Sequence, residues 1–362
     1  MTDLRSTRHT PAGLLMTKGL PLLNRGPALS GKPFTAAAGI VPHTAGHRYS
    51  WSHNGIMIPN LPEPIRFLSM TTGVGANGAP ITDILHEPDH PGGPRNRAAV
   101  NVSTACTPGF WKGYRIDTEC DLAADGSRVA FGDDVSLVGT YLEYRLVTST
   151  PGLEVDLELR CTDVVSWFVH TPVYKHLSLL ADYSGTVTHD GTTYDVSGTC
   201  AFEHARAMGP YNLARRELRH PWLRMALDFF SYQVVDLNDG RQLLLTSVEA
   251  EGRVAMNGAF LRSADGRSVA RVKGVEFSVD EYLPVAAVTP DGAHMRLPAR
   301  FHWHTVEGGL QVELAGVVDT PFSWGLGNGY VGGYSFTGTV DGTRVAGNTG
   351  YVEYIDRRDW RR

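Results

Sequence analysis

Cysteine is scarce in this sequence: Cys106, Cys120, Cys161 and Cys200 are its four, far apart and never in a Cys-x-x-Cys pair. That spacing removes the usual signal for a zinc site or dithiol chemistry and leaves buried free thiols as the expectation. Long apolar runs are missing as well. No stretch of about 20 apolar residues is present to span a bilayer, and the residues after Met1 lack an apolar run followed by a small-residue cleavage site. A soluble, cytoplasmic chain with no membrane span is expected. There is no basic excess either: 33 Lys and Arg stand against 38 Asp and Glu, a net charge of −5, so no global field draws the chain to nucleic acid or anionic lipid. The basic tail, residues 356–362, reads as a solvated end. Gly-x-Ser-x-Gly and Walker-type lysine loops are absent, which weakens hydrolase and phosphoryl-transfer chemistry. Gly73-Val-Gly-Ala-Asn-Gly78 matches Gly-x-Gly-x-x-Gly after a strand, but Pro80 stands where a helix should begin, so nucleotide binding is rejected.

What the chain does have is punctuation and alternation. Its 40 Gly and 21 Pro are enough to separate many short strands, and its length suits two domains. From residue 49 strand-like segments follow one another to about 202, interrupted by a Pro-rich surface excursion at 83–97 and by a helical turn near 175–180. Residues 153–160 alternate strictly, with Leu153, Val155, Leu157 and Leu159 on one face and Glu154, Asp156, Glu158 and Arg160 on the other. Strands resume from 229 to 355. Asp190-Gly191, Asn238-Asp239-Gly240, Asp265-Gly266 and Asp341-Gly342 supply hairpin turns. So many short antiparallel strands point to barrels or sandwiches. The organisation read from this is an N-terminal arm packed on a domain (1–47), a first β unit (48–205), a helical connection (206–228) and a second β unit (229–362).

The two β units echo each other. The hairpin around Asp190-Gly191 ends at Glu203-His204, and the one around Asp341-Gly342 ends at Glu353, each with a glycine near the middle of its second strand. Tandem duplication of one barrel unit accounts for this.

Three stretches carry a resemblance: Val196-Ser-Gly-Thr-Cys-Ala-Phe-Glu-His204, Phe229-Phe-Ser-Tyr-Gln-Val-Val-Asp-Leu-Asn-Asp-Gly-Arg241 and Tyr334-Ser-Phe-Thr-Gly-Thr-Val-Asp-Gly-Thr-Arg-Val-Ala-Gly-Asn-Thr-Gly-Tyr-Val-Glu353. They resemble the lipocalin-like carotenoid hydratase (hydroxyneurosporene synthase) and AttH-like family, related in fold to natural-product Diels-Alderases. The resemblance implies an all-β fold of two consecutive calycin (lipocalin-like) antiparallel β-barrels, and an apolar cavity for a hydrophobic small molecule near the acid–His pair. The sequence departs from the family in having Glu203 where Asp is usual, Val331-Gly-Gly333 in place of Trp-Glu-Gly, and Arg206 where a Trp often follows.

Glu203 and His204 are the catalytic candidates. In an apolar cavity burial disfavours the anion, so a protonated Glu203 is able to deliver a proton, with His204 as partner. Adjacent strand residues face opposite ways, so one of the two should face the cavity and the other anchor it. The competing reading is that both only pin strands together, and Glu353 carries the same two readings. Aromatic residues Trp51, Trp111, Trp167, Tyr174, Trp303, Trp324 and Tyr334, with Glu353, are candidates to bind substrate or else belong to the core. His302 and His304 share one strand face at a spacing compatible with zinc, but no third ligand is nearby, and no metal is expected. His170 and His176 read as loop residues. The expectation is an enzyme that needs no cofactor, a hydratase, isomerase or cyclase acting on a terpenoid- or polyketide-like molecule. Alternatives are a carrier of a hydrophobic ligand and a scaffolding module.

Overall fold

A computed structural model describes residues 10–36, 40–41, 48–83, 92–218, 220, 223–306 and 308–358. Part of the expected arm, most of the Pro-rich excursion and the end of the basic tail lie outside them.

The alternation at 153–160 becomes the start of a long strand, Leu153–His170. Leu153, Val155, Leu157 and Leu159 are fully buried on its inner face, each contributing about 1.5–3 kcal/mol by leaving water. Its neighbour, Tyr174–His189, pairs on both edges. Residues 175–180 are therefore strand, not a helical turn: Leu177 and Leu179 point into the same core as the leucines opposite, a period of two that the run of three leucines concealed. Asp190 and Gly191 have φ of 47° and 79°, the left-handed pair required by a two-residue hairpin, and lead into Thr192–Ala207. That last strand returns to pair antiparallel with the first, Trp51–Ile58. Eleven strands thus curl into a nearly closed barrel among the described residues, with the gap at the short helical turn Ile116–Glu119.

The same order recurs in the second half. The strand Leu227–Asp236 pairs with the final strand, Thr343–Asp356, which is joined to Gly329–Val340 by Asp341 and Gly342 at φ of 47° and 74°. These strands belong to a ten-stranded, half-barrel sheet whose concave core holds Leu243, Phe301, Trp303, Tyr334 and Phe336. The structure is accordingly almost all β, two consecutive lipocalin-like barrels. The connection between them opens with the short 3-10 turn Pro210–Asn212. The amphipathic run after it forms no helix through residue 218, and Leu213 faces solvent. Among the described residues no helix is long and apolar enough to cross a membrane. All four cysteines are free, and only Cys161 and Cys200 are buried, Cys106 and Cys120 being half-buried.

The interior of the first barrel is filled by side chains such as Ile56, Tyr144, Leu157 and Phe202. Its outer face is not all exposed. Met57, Phe67, Phe168 and Ala201 point outward and meet Tyr232, Leu244, Phe260 and Tyr351 of the second sheet in one apolar cluster. The two sheets therefore pack face to face along the strands that close them.

Candidate active site between the sheets

A cavity of about 530 Å³ opens between the two sheets, within the range of pockets that hold drug-sized ligands. Its place follows from alternation. On Thr192–Ala207, Phe202 points into the first barrel, so Glu203 must point out of it, toward the second sheet. On Thr343–Asp356, Val352 enters the core of the second sheet and Glu353 points back. Both carboxyl groups line the cavity, and each is no more than 2 % exposed. The site thus lies between the barrels, not inside one.

Glu203 is opposite Gly55 on one side and Ser178 on the other. The diagonal neighbour across the strand pair is His176, whose Nε2 is 3.1 Å from Glu203 Oε2. His176 Nδ1 is in turn 3.1 Å from the Tyr174 hydroxyl. Both contacts are satisfied when Tyr174 donates to Nδ1 and Nε2–H donates to the carboxylate. Glu203 Oε1 and the Tyr232 hydroxyl have no hydrogen-bond partner among the protein atoms. Burial, the largest influence, pushes the Glu203 carboxyl up, but the hydrogen bond and charge of His176 and the nearby Tyr232 hydroxyl outweigh it, and the group lies below the ordinary glutamate value. Behind it, the fully buried guanidinium of Arg262 contacts Gln242 Oε1 at 2.6 Å and the Ser178 carbonyl at 2.8 Å. Burial brings Arg262 down to about 10, and Tyr232 and Glu203 act to keep it charged.

Glu353 faces Tyr232 across the strand pair. Its Oε1 is 2.9 Å from the Tyr351 hydroxyl, which is also 2.7 Å from Ser69 Oγ in the first sheet. Burial pushes Glu353 well above the ordinary value and the charge of Glu203 pushes it further, against the hydrogen bond to Tyr351. Their surroundings thus drive the two carboxyl groups apart, Glu203 toward the anion and Glu353 toward the neutral acid. His53, stacked on Trp51 at 5.8 Å, completes the polar group. Burial, then the charge of His176, lowers it to about 4, so it is neutral near pH 7.

Glu203, Glu353, Trp51 and Tyr174, all expected from the sequence, are brought together here. His204 is not. It turns to the opposite face, where its Nδ1 is 3.0 Å from Asn54 Oδ1, and burial lowers it to about 3. Five of the expected aromatics also lie elsewhere. Trp167 belongs to the core of the first barrel, and Trp303 and Tyr334 to that of the second sheet. Trp111 is on the edge strand Phe110–Arg115, and Trp324 packs on Tyr330. Inward alternation took the core residues away from the cavity. His302 and His304 pair separately with Asp280 and Glu313, and no group of three or more metal-ligating side chains occurs among the described residues. The sequence reading missed His53, Tyr232 and Tyr351 and put His176 in a loop. The available signal for His176 was alternation from Tyr174 onward, hidden by the helical reading of the same run.

The fold is a two-barrel one of AttH-like kind. The chain belongs to a family of unknown function (DUF6670), whose model matches residues 72–362. Among solved structures it is similar to a putative AttH from Nitrosomonas europaea, at 15% identity over 88% of this chain and 99% of that one, with a TM-score of 0.57. It is also similar to CghA with Sch210972, at 11% identity over 92% and 97% and a TM-score of 0.52. CghA alone gives 10% identity over 85% and 88%, again with a TM-score of 0.52. No curated protein matches the sequence.

Proposed function

We propose that this protein is a cofactor-independent acid–base enzyme that moves a proton within a hydrophobic, terpenoid- or polyketide-like molecule held between its two sheets. The observation that carries the reading is the convergence of Glu203 and Glu353, one from each sheet, on a single apolar cavity. Carboxyl groups whose surroundings push their ionisation apart are suited to opposite roles. Glu203, held as the anion, removes a proton from carbon beside a carbonyl or alkene. Glu353, held as the acid, delivers one at the far end of the shifted double bond, and the starting pair of one carboxylate and one acid is restored when the proton on Glu203 passes to Glu353. No oxidant or reductant is consumed. The same donor is able to start a hydration or a cyclisation. This reverses the role first given to Glu203, which the histidine beside it suits to be base, and it replaces His204 with His176 as its partner.

The apolar walls also favour the simpler reading of a carrier. The two are separated by transferring protein with its co-purified apolar molecule, identified by native mass spectrometry, into deuterated water. An acid–base enzyme exchanges carbon-bound hydrogen of that molecule, and Glu203→Gln abolishes the exchange while the molecule stays bound. Retention with no exchange in the wild type identifies a carrier.

A further inference from the structure

The segment formed by Pro11–Leu14, the π-helical turn Leu15–Gly19, Leu20–Leu23 and Gly26–Leu29 contributes to the wall of the cavity. It has two faces. Met16, Leu20, Pro21, Asn24 and Pro27 line the cavity. On the other side Leu14, Leu15, Leu22 and Leu23 are 42, 50, 87 and 55 % exposed, a concentration of large apolar side chains that marks an interaction surface.

The charge on this element is of one sign. Residues 4–62 contain Arg5, Arg8, Lys18, Arg25, Lys32 and Arg48 and no Asp or Glu, although the whole chain carries −5. The overall charge therefore hides a basic region. Lys18, Arg25 and Lys32 are exposed beside the leucines. The backbone of Arg25 bonds His170 O at 3.1 Å, which brings the segment to Lys175 and Arg206, whose charges also act on His170. Exposed Val173 continues the apolar surface there.

The attachment is at the two ends. Thr10 bonds Glu251 in the second sheet, and Asn24 bonds Phe168 O and His170 N in the first. Among the described residues no hydrogen bond ties 11–23 to either sheet, and the middle is held by packing of Met16 against Ala226 and Ala250. Apolar packing of this kind is what lipid replaces most readily.

We propose that this strap is a docking surface for an anionic lipid bilayer. Its leucines enter the headgroup boundary, its cations meet the lipid charge, and the cavity beneath takes its apolar ligand from the membrane. Interfacial segments bind by these two contributions together, and the electrostatic part is screened by salt. The surface stands independently of any proton transfer in the cavity.

The test is flotation of the full chain with vesicles of phosphatidylcholine alone and of phosphatidylcholine mixed with phosphatidylglycerol, at low and high salt. Binding is expected only to the mixed vesicles, weakened at least several-fold by salt. It should fall at least ten-fold in Leu22→Asp/Leu23→Asp and in Lys18→Glu/Arg25→Glu, with unchanged circular dichroism. No binding of the wild type to mixed vesicles overturns the proposal, as does equal binding to both vesicle types without salt dependence. Leucine-dependent self-association without vesicle binding also overturns it and assigns the face to a second copy of the chain. Salt dependence is read on the wild type, so the test survives a variant that fails to fold.

Discussion

Glu203 and Glu353 occupy matching places, each on the last strand of its sheet, paired with the first strand and aimed into the same cavity. Their ionisation is driven in opposite directions. Glu203 has a histidine at 3.1 Å, whereas Glu353 has a tyrosine at 2.9 Å and the negative Glu203 as its charged neighbour. Burial alone would raise both. What lowers Glu203 is chiefly its diagonal cross-strand neighbour His176, whereas no histidine stands directly opposite Glu353, where the register places Tyr232 and Val331, and the charge of Glu203 raises it further. The two sheets offer a glutamate at matching positions, and the neighbours drive one toward the anion and the other toward the neutral acid.

The largest effect should come from removing the charge difference. Glu203→Gln is expected to lower turnover by about 10²- to 10⁴-fold, the usual contribution of a general base, with little change in ligand affinity. Steady-state turnover with binding measured in parallel checks this, and a fall in affinity alone would make Glu203 a binding group. Glu353→Gln should lower turnover comparably while retaining the contact with Tyr351.

A second contrast is thermodynamic. A carboxyl raised on folding stabilises the protein fully below its unfolded value, near 4.5, and that stability is lost as pH rises toward the folded value, about 1.4 kcal/mol for each unit of displacement. Wild-type urea stability should therefore decline from mildly acid to alkaline pH through Glu353, and Glu353→Gln should flatten that decline. An identical pH profile in the variant would place the proton elsewhere.

An opposite slope belongs to His204, lowered from 6.5 to about 3. The unfolded chain takes up a proton that the folded one refuses, so stability is lost as pH falls from about 6.5 toward 3. His204→Gln should reduce that acid loss without altering turnover, since the ring faces away from the cavity. A turnover defect in this variant would return His204 to the chemistry.

Much of the fold was legible from strand periodicity and from Asp-Gly turns, because both depend on neighbours in sequence. Leu153 to Leu159 and the hairpin at Asp190-Gly191 needed no tertiary knowledge. The echo between Glu203 and Glu353 was equally local. The location of the cavity was not. It depends on the outer face of one barrel packing on another sheet, so the inward-facing Trp303 and Tyr334 were mistaken for a lining that Phe168 and Tyr232 provide. His176 was lost for a related reason: Leu177, Leu179 and Leu180 fit a helix as well as a strand until the pairing with Leu153–His170 decides between them.

The central claim is that the cavity holds one ionised and one protonated carboxyl group. Infrared difference spectroscopy near neutral pH, in light and heavy water, detects the C=O stretch of a buried protonated acid directly and requires no ligand. The wild type should show one such band, retained in Glu203→Gln and lost in Glu353→Gln. A band that disappears in Glu203→Gln and persists in Glu353→Gln would contradict the assignment.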